Sequence, residues 1–306
     1  MANCQKLKGE HFTHGGAKLM ERAFQELRID IAVPEAVIST EYLMAGGGPS
    51  VVFLHGIADS AHTWQWVIPA LAQNYRVFAP SFPGFGQSGK PALWYSSEFF
   101  TRFVLAFLDA LGLQRVCIVG NSLGGLVAMR LALSAPARVS ALGLVGSAGL
   151  GRAVSMTMRL LSLPGMRKLA TLWYRTSLGA QIWESQLSAM LFVQSSPSGW
   201  RDRLRQMARM PGYLEAVTAT TASAVNLRGQ REILLDQLSK LTVPTLVLWG
   251  ERDRIVPVRH AQAAVARLVQ GRLEVLPDCG HLPQVEQPNR VADILGDFLR
   301  TCLQIS

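Results

Sequence analysis

Ten residues constrain this chain more than any others: Val116-Cys117-Ile118-Val119-Gly120-Asn121-Ser122-Leu123-Gly124-Gly125, followed directly by Leu126-Val127-Ala128-Met129-Arg130-Leu131-Ala132. The four apolar, partly β-branched residues at the start read as a buried strand, and the run after the glycines has helical spacing and good helix formers. A strand that becomes a helix within a few residues forces the residue at the bend into strained backbone. Side chains flanking it would clash, so glycines at 120 and 124 are what sterics require. The bend lifts the Ser122 hydroxyl clear of the sheet. The helix N-terminus then aims unpaired N–H groups, that of Leu123 included, at whatever binds beside the serine.

The remaining pattern supplies a sheet for this bend. Residues 1–28 read as a helical or partly disordered leader, and β-branched residues over 29–33 and 37–40 as a hairpin ending at Gly46-Gly47-Gly48-Pro49. Apolar strands follow over 51–54, 76–79 and 139–145. A helix is expected over 64–74 and another over 99–111, capped by Ser96-Ser97-Glu98 and closed by Gly112. Strands alternating with helices specify an α/β fold whose mostly parallel central sheet is covered on both faces. Over 149–235 the rhythm fails, leaving helical periodicity broken at Pro164-Gly165, Pro197 and Pro211-Gly212, with no strand. It resumes with a strand over 243–250, a helix over 259–268, a strand over 272–276 and a final helix over 289–303. The organisation is thus a core of 29–148 and 236–306, interrupted by a helical insertion over 149–235.

A serine hydroxyl is a weak nucleophile and needs a base, an orienting carboxylate and donors for the developing oxyanion. In an open parallel sheet these belong at the carboxyl ends of strands. Asp253 follows the strand over 243–250 and precedes a helix, with Glu251 as its rival. His281, in Pro277-Asp278-Cys279-Gly280-His281-Leu282, follows the last strand. The other histidines compete poorly: His11 and His14 lie in the leader, His62 and His260 read as surface residues, and His55 as a structural hydrogen-bonder. The oxyanion donors are expected to be the backbone N–H groups of Ile57, just after His55-Gly56, and of Leu123.

The order Ser122, Asp253, His281, each at a strand end, resembles the α/β-hydrolase fold superfamily, with Gly120-Asn121-Ser122-Leu123-Gly124 as the nucleophile elbow. His55-Gly56 and Pro83-Gly84-Phe85-Gly86-Gln87-Ser88 extend the resemblance, which spans about 28–148 and 236–303. It implies catalysis by Ser122, His281 and Asp253 without cofactor or metal. Similar members carry a structural Asp two residues before the Pro-Gly pair, where this chain has Ser81. The Gly-Asn-Ser-x-Gly-Gly elbow looks like that of hydrolases cleaving carbon–carbon bonds in ring-fission products and of esterases acting on large apolar esters. The former branch has Trp after its catalytic His, and here that residue is Leu282.

The insertion resembles the helical lid of this family. It holds six of the ten methionines together with Trp173, Trp183 and Trp200, a composition suited to an adaptable apolar pocket. Asn121, Leu282, Trp183 and Met190 are the expected substrate-binding residues. Net charge is +9, and 151–232 alone holds eleven Arg or Lys against four acids, a net of +7. Lacking any nucleic-acid module, that segment reads as a solvated basic face, suited to weak contact with an anionic membrane surface or an anionic substrate group. The polar N-terminus and four scattered cysteines point to the cytoplasm. The expected activity is hydrolysis of small-molecule carboxylic esters with a sizeable apolar part. Carbon–carbon hydrolysis of vinylogous diketone acids, and a low-turnover ligand receptor that keeps the triad, are the alternatives.

Overall fold

The computed structural model describes residues 5–6, 24–174, 176–194, 196–197 and 199–303. Nine strands form one sheet: β1 (Gln5–Lys6), β2 (Gln25–Val33), β3 (Ala36–Ala45), β4 (Ser50–Leu54), β5 (Arg76–Pro80), β6 (Val116–Asn121), β7 (Val139–Val145), β10 (Thr245–Gly250) and β11 (Gly271–Leu276). A separate hairpin pairs β8 (Val225–Asn226) with β9 (Gly229–Gln230). The sheet order is β1-β2-β3-β5-β4-β6-β7-β10-β11, antiparallel as far as the β3–β5 pair and parallel from there on.

The two ladder types follow from the sequence pattern. β2 alternates, burying Leu27, Ile29, Ile31 and Val33 while the residues between them face outward, as a strand with one wet face must. β6 is buried along its whole length. Successive residues of the central strands enter opposite core layers: Val52, Leu54 and Ile118 pack in one, Val51, Phe53 and Val119 in the other.

Helices fill both layers. Before the insertion lie α1 (Ile68–Leu71), α2 (Ser97–Ala110) and α3 (Leu123–Ser134); within it α4 (Met156–Leu161), α5 (Pro164–Tyr174), α6 (Ser177–Leu191), α7 (Trp200–Ala208) and α8 (Tyr213–Ala224). After it come α9 (Arg259–Val265), α10 (Pro283–Glu286) and α11 (Pro288–Leu303). Ser96 Oγ caps α2 by accepting the Phe99 N–H at 3.1 Å, and the helix buries Phe99, Phe100, Phe103 and Phe107 along one stripe. α11 buries Val291, Leu295, Phe298 and Leu299 in the opposite layer.

Three expectations need correction. The leader assigned to 1–28 is β-strand from Gln25, and Gln5–Lys6 pair with Leu27 and Arg28; residues 1–4 and 7–23 lie outside the described residues. The helix expected over 64–74 is a 3-10 turn over Ala61–Trp64 followed by the single turn of α1, with a proline at its start. The insertion, expected to lack strands, contains the β8–β9 hairpin. Gln230 ties it down, donating its N–H to Arg152 O at 2.9 Å and accepting the Gly149 N–H through Oε1 at 2.8 Å.

Candidate active site

Ser122 sits between β6 and α3 with φ 53° and ψ −114°, a conformation that costs a non-glycine residue energy and persists only where its surroundings enforce it. The enforcement is steric. A Cβ on Gly120 would lie 2.3 Å from the Gly124 carbonyl, and one on Gly124 would lie 2.4 Å from Leu54 O. The first turn of α3 therefore presses against the ends of β4 and β6. Ser122 is pinned from both sides, donating its N–H to Val145 O at 3.0 Å and accepting the Ala148 N–H at 3.0 Å.

Asp253 follows β10 and His281 follows β11. Backbone contact holds the two loops together: Arg252 N–H donates to Cys279 O at 2.9 Å, and a Cβ on Gly250 would lie 2.0 Å from Gly280 O. His281 Nδ1 lies 2.7 Å from Asp253 Oδ2, and both side chains are buried. Asp253 Oδ1 accepts the N–H groups of Ile255 and Val256 at 2.8 and 2.9 Å. An ionised carboxylate only accepts, so the neutral imidazole carries its proton on Nδ1 and leaves the Nε2 lone pair free. From the end of β6, Asn121 Nδ2 donates to His281 O at 3.2 Å and to Val145 O at 3.0 Å. Asn121, expected to bind substrate, lines the cavity, and its amide N–H groups also brace the end of β7 and the histidine loop.

The loop after β4 closes on Ser122 from the other side: a Cβ on Gly56 would sit 3.2 Å from Ser122 Cβ. Among the described residues neither the Ile57 nor the Leu123 N–H has a protein acceptor. His55 holds this loop, donating from Nδ1 to Gly56 O at 2.7 Å and accepting the Phe82 N–H at Nε2 at 2.8 Å. Its complete burial lowers its pKa to about 4. His260, expected at the surface, is buried against Gly151.

Ser122 and His281 face a cavity of about 150 Å³, walled by Ile57, Asn121 and Leu282 of the core and by Met158, Trp183, Leu187, Leu191 and Leu204 of the insertion. Of the residues expected to bind substrate, Asn121, Leu282 and Trp183 line it. Met190 does not; it packs elsewhere against the core. Trp183, Leu187 and Leu191 follow one another at four-residue spacing along one face of α6.

Three residues escaped the sequence reading. Glu41 of β3 reaches beneath Ser81, accepting its hydroxyl at 2.7 Å and the Gln87 N–H at 2.8 Å. The carboxylate missing at position 81 is thus supplied by the neighbouring strand. Glu286 of α10 accepts the Gly280 N–H at 2.7 Å with one oxygen and the N–H groups of Val193 and Gln194 at 2.8 Å with the other, tying the histidine loop to the end of α6. Asp59 lines the cavity, and burial raises its pKa against the opposing pull of the Ser60 N–H and the charge of Arg203. None of the three carries a motif; only the long-range packing reveals them.

A sequence profile described as the alpha/beta hydrolase fold matches residues 49–288, well over half of the chain. The chain belongs to the α/β-hydrolase fold family. It is a hydrolase of that fold, and its relatives carry more than one chemistry. It is 30% identical over 266 residues to 2-hydroxy-6-oxo-6-phenylhexa-2,4-dienoate hydrolase of Burkholderia cepacia, covering 83% of this chain and 89% of that one. It resembles the structure of a thermophilic esterase from Thermogutta terrifontis with TM-score 0.73 at 25% identity, covering 91% of this chain and 99% of the other. At 35% identity over 265 residues, an uncharacterized protein of Mycobacterium tuberculosis covers 85% of this chain and 78% of its own. Within the α/β-hydrolase family, then, similarity alone leaves the bond that is cleaved to be argued from the cavity.

Proposed function

We propose that the chain is a serine hydrolase of carboxylic esters bearing a sizeable apolar group, with Ser122, His281 and Asp253 as the triad and the helical insertion as its lid. The observation that carries this is the buried 2.7 Å contact between His281 Nδ1 and Asp253 Oδ2, beside a cavity that also holds the strained Ser122. His281 Nε2 takes the Ser122 proton as the hydroxyl oxygen attacks the ester carbonyl, and Asp253 stabilises the resulting imidazolium. The Ile57 and Leu123 N–H groups receive the oxyanion, each worth about 10² to 10³ in rate. His281 then protonates the departing alcohol, and water, deprotonated by the same nitrogen, hydrolyses the acyl-enzyme.

The relatives' names favour a second reading, carbon–carbon hydrolysis of a dienoate. Such a substrate carries a carboxylate. Among the described residues the cavity wall carries no Lys or Arg to pair with it, and its apolar side chains suit a neutral substrate. The deciding experiment compares p-nitrophenyl esters from acetate to palmitate with a ring-fission dienoate, on wild type, Ser122→Ala and His281→Ala. Ester turnover that falls by up to about 10⁶ in either variant is the expected result. Dienoate turnover with negligible ester turnover would establish the second reading, and near-native activity in a variant would remove that residue from the triad.

A further inference from the structure

Helices α4, α5 and α6 are apolar on two faces. Inward, Met158, Leu161, Trp183 and Leu187 wall the catalytic cavity. Outward, Met156 and Leu160 stand one turn apart on α4, Leu169 and Leu172 on α5, and Leu178 and Ile182 on α6, with Leu172 and Leu178 each 64% exposed. α5 packs against both α4 and α6, so these exposed stripes lie on adjoining helices. Of thirteen large apolar side chains exposed among the described residues, eight lie on these three helices. A helix bearing a second apolar stripe has a second partner to meet, and a patch concentrated in this way marks an interaction surface.

Charge identifies the partner. From 156 to 191 the sequence holds four cations, Arg159, Arg167, Lys168 and Arg175, and a single acid, Glu184. Glu184 is buried and spent on Arg205, which its carboxylate contacts at 2.6 Å. The segment that forms these helices therefore combines exposed apolar side chains with an excess of positive charge, the composition that seats amphipathic helices in an anionic lipid interface. An acidic protein partner would match the charge but would leave so many long aliphatic side chains unpaired with comparably apolar surface.

We propose that the outer face of α4–α6 docks the protein on an anionic lipid surface. Docking rests on this face alone and not on the catalytic reading. If the ester reading also holds, the cavity wall and the lipid-facing surface belong to the same three helices, and an amphiphilic ester reaches Ser122 from the bilayer side.

The test uses the full chain carrying Ser122→Ala, so that turnover plays no part. Its sedimentation is measured with vesicles of equal parts phosphatidylglycerol and phosphatidylcholine, and with phosphatidylcholine alone. Binding to the anionic vesicles only is expected, weakened by salt and reduced about 5-fold for each charge removed in Arg167→Gln and Lys168→Gln. The combined variant Leu169→Gln, Leu172→Gln, Leu178→Gln should lose at least about tenfold in binding while keeping its circular dichroism and melting temperature. Restored to Ser122, it should also keep wild-type hydrolysis of a short soluble ester. The proposal is overturned if neither vesicle binds, or if the triple variant binds as wild type. It is equally overturned if wild type is a dimer that this variant makes monomeric, since the face would then belong to a second copy.

Discussion

Glu41 is 2% exposed, yet it contacts no group of opposite charge among its described hydrogen bonds. Its partners are the Ser81 hydroxyl and the Gln87 N–H, and Ser81 Oγ in turn accepts the Ala61 N–H at 3.0 Å. Removing the carboxylate strands the buried Ser81 hydroxyl, leaves the part-buried Gln87 N–H without its acceptor and opens a void. Glu41→Ala should therefore cost about 2–4 kcal/mol, read as a lower urea midpoint at unchanged m. His55 yields a pH prediction. Folded, burial holds its pKa at about 4, whereas unfolded it titrates near 6.5. The unfolded state binds more protons between these values. Stability from neutral His55 is thus complete above about pH 6.5 and is lost as pH falls toward 4, by on the order of 3 kcal/mol. Thermal melts across that range should show the loss, and the His55 ring resonance in the native protein should not titrate between pH 7 and 5; a midpoint near 6.5 would contradict it.

At the scale of elements, the junction of β6 and α3 depends on the approach of α3 to the end of β4. A Cβ on Gly124 meets Leu54 O at 2.4 Å and Leu54 C at 2.7 Å, and backbone atoms cannot swing aside. Gly124→Ala should displace the helix start, lowering kcat at least about 100-fold together with the melting temperature. If activity survives intact, the elbow tolerates a spacing that its contacts deny. Elements with several turns or a run of β-branched residues were legible: α2 and α11 were expected within two residues of their observed starts. The 64–74 segment and the β8–β9 hairpin were not. One turn or two residues per strand is too short for a hydrophobic period, and such pieces exist because neighbouring backbone supplies their hydrogen bonds, as Arg152 does for Gln230.

Across the whole molecule, the insertion must be held over the sheet. Arg203 of α7 donates to His62 O at 3.1 Å and lies over the Trp66 ring at 5.7 Å. Burial pushes its pKa down, and the charge of Asp59 pulls it back. Arg203→Ala should free the insertion to open about 5- to 30-fold more often, seen as faster limited proteolysis within 150–235 and a raised KM for apolar esters. Unchanged cleavage would show that the apolar contacts alone seat these helices. The strand ends bearing Ser122, Asp253 and His281, the elbow glycines and the helical insertion were determined by sequence alone, because local sterics and hydrophobic period are properties of short stretches. Tertiary structure decided that Glu41 replaces a carboxylate absent at Ser81, that Asn121 braces the histidine loop, that Asp59 faces the cavity and that Met190 does not. Each of these depends on which distant backbone lies within a few ångströms, and loop closure over tens of residues leaves no local trace in the chain.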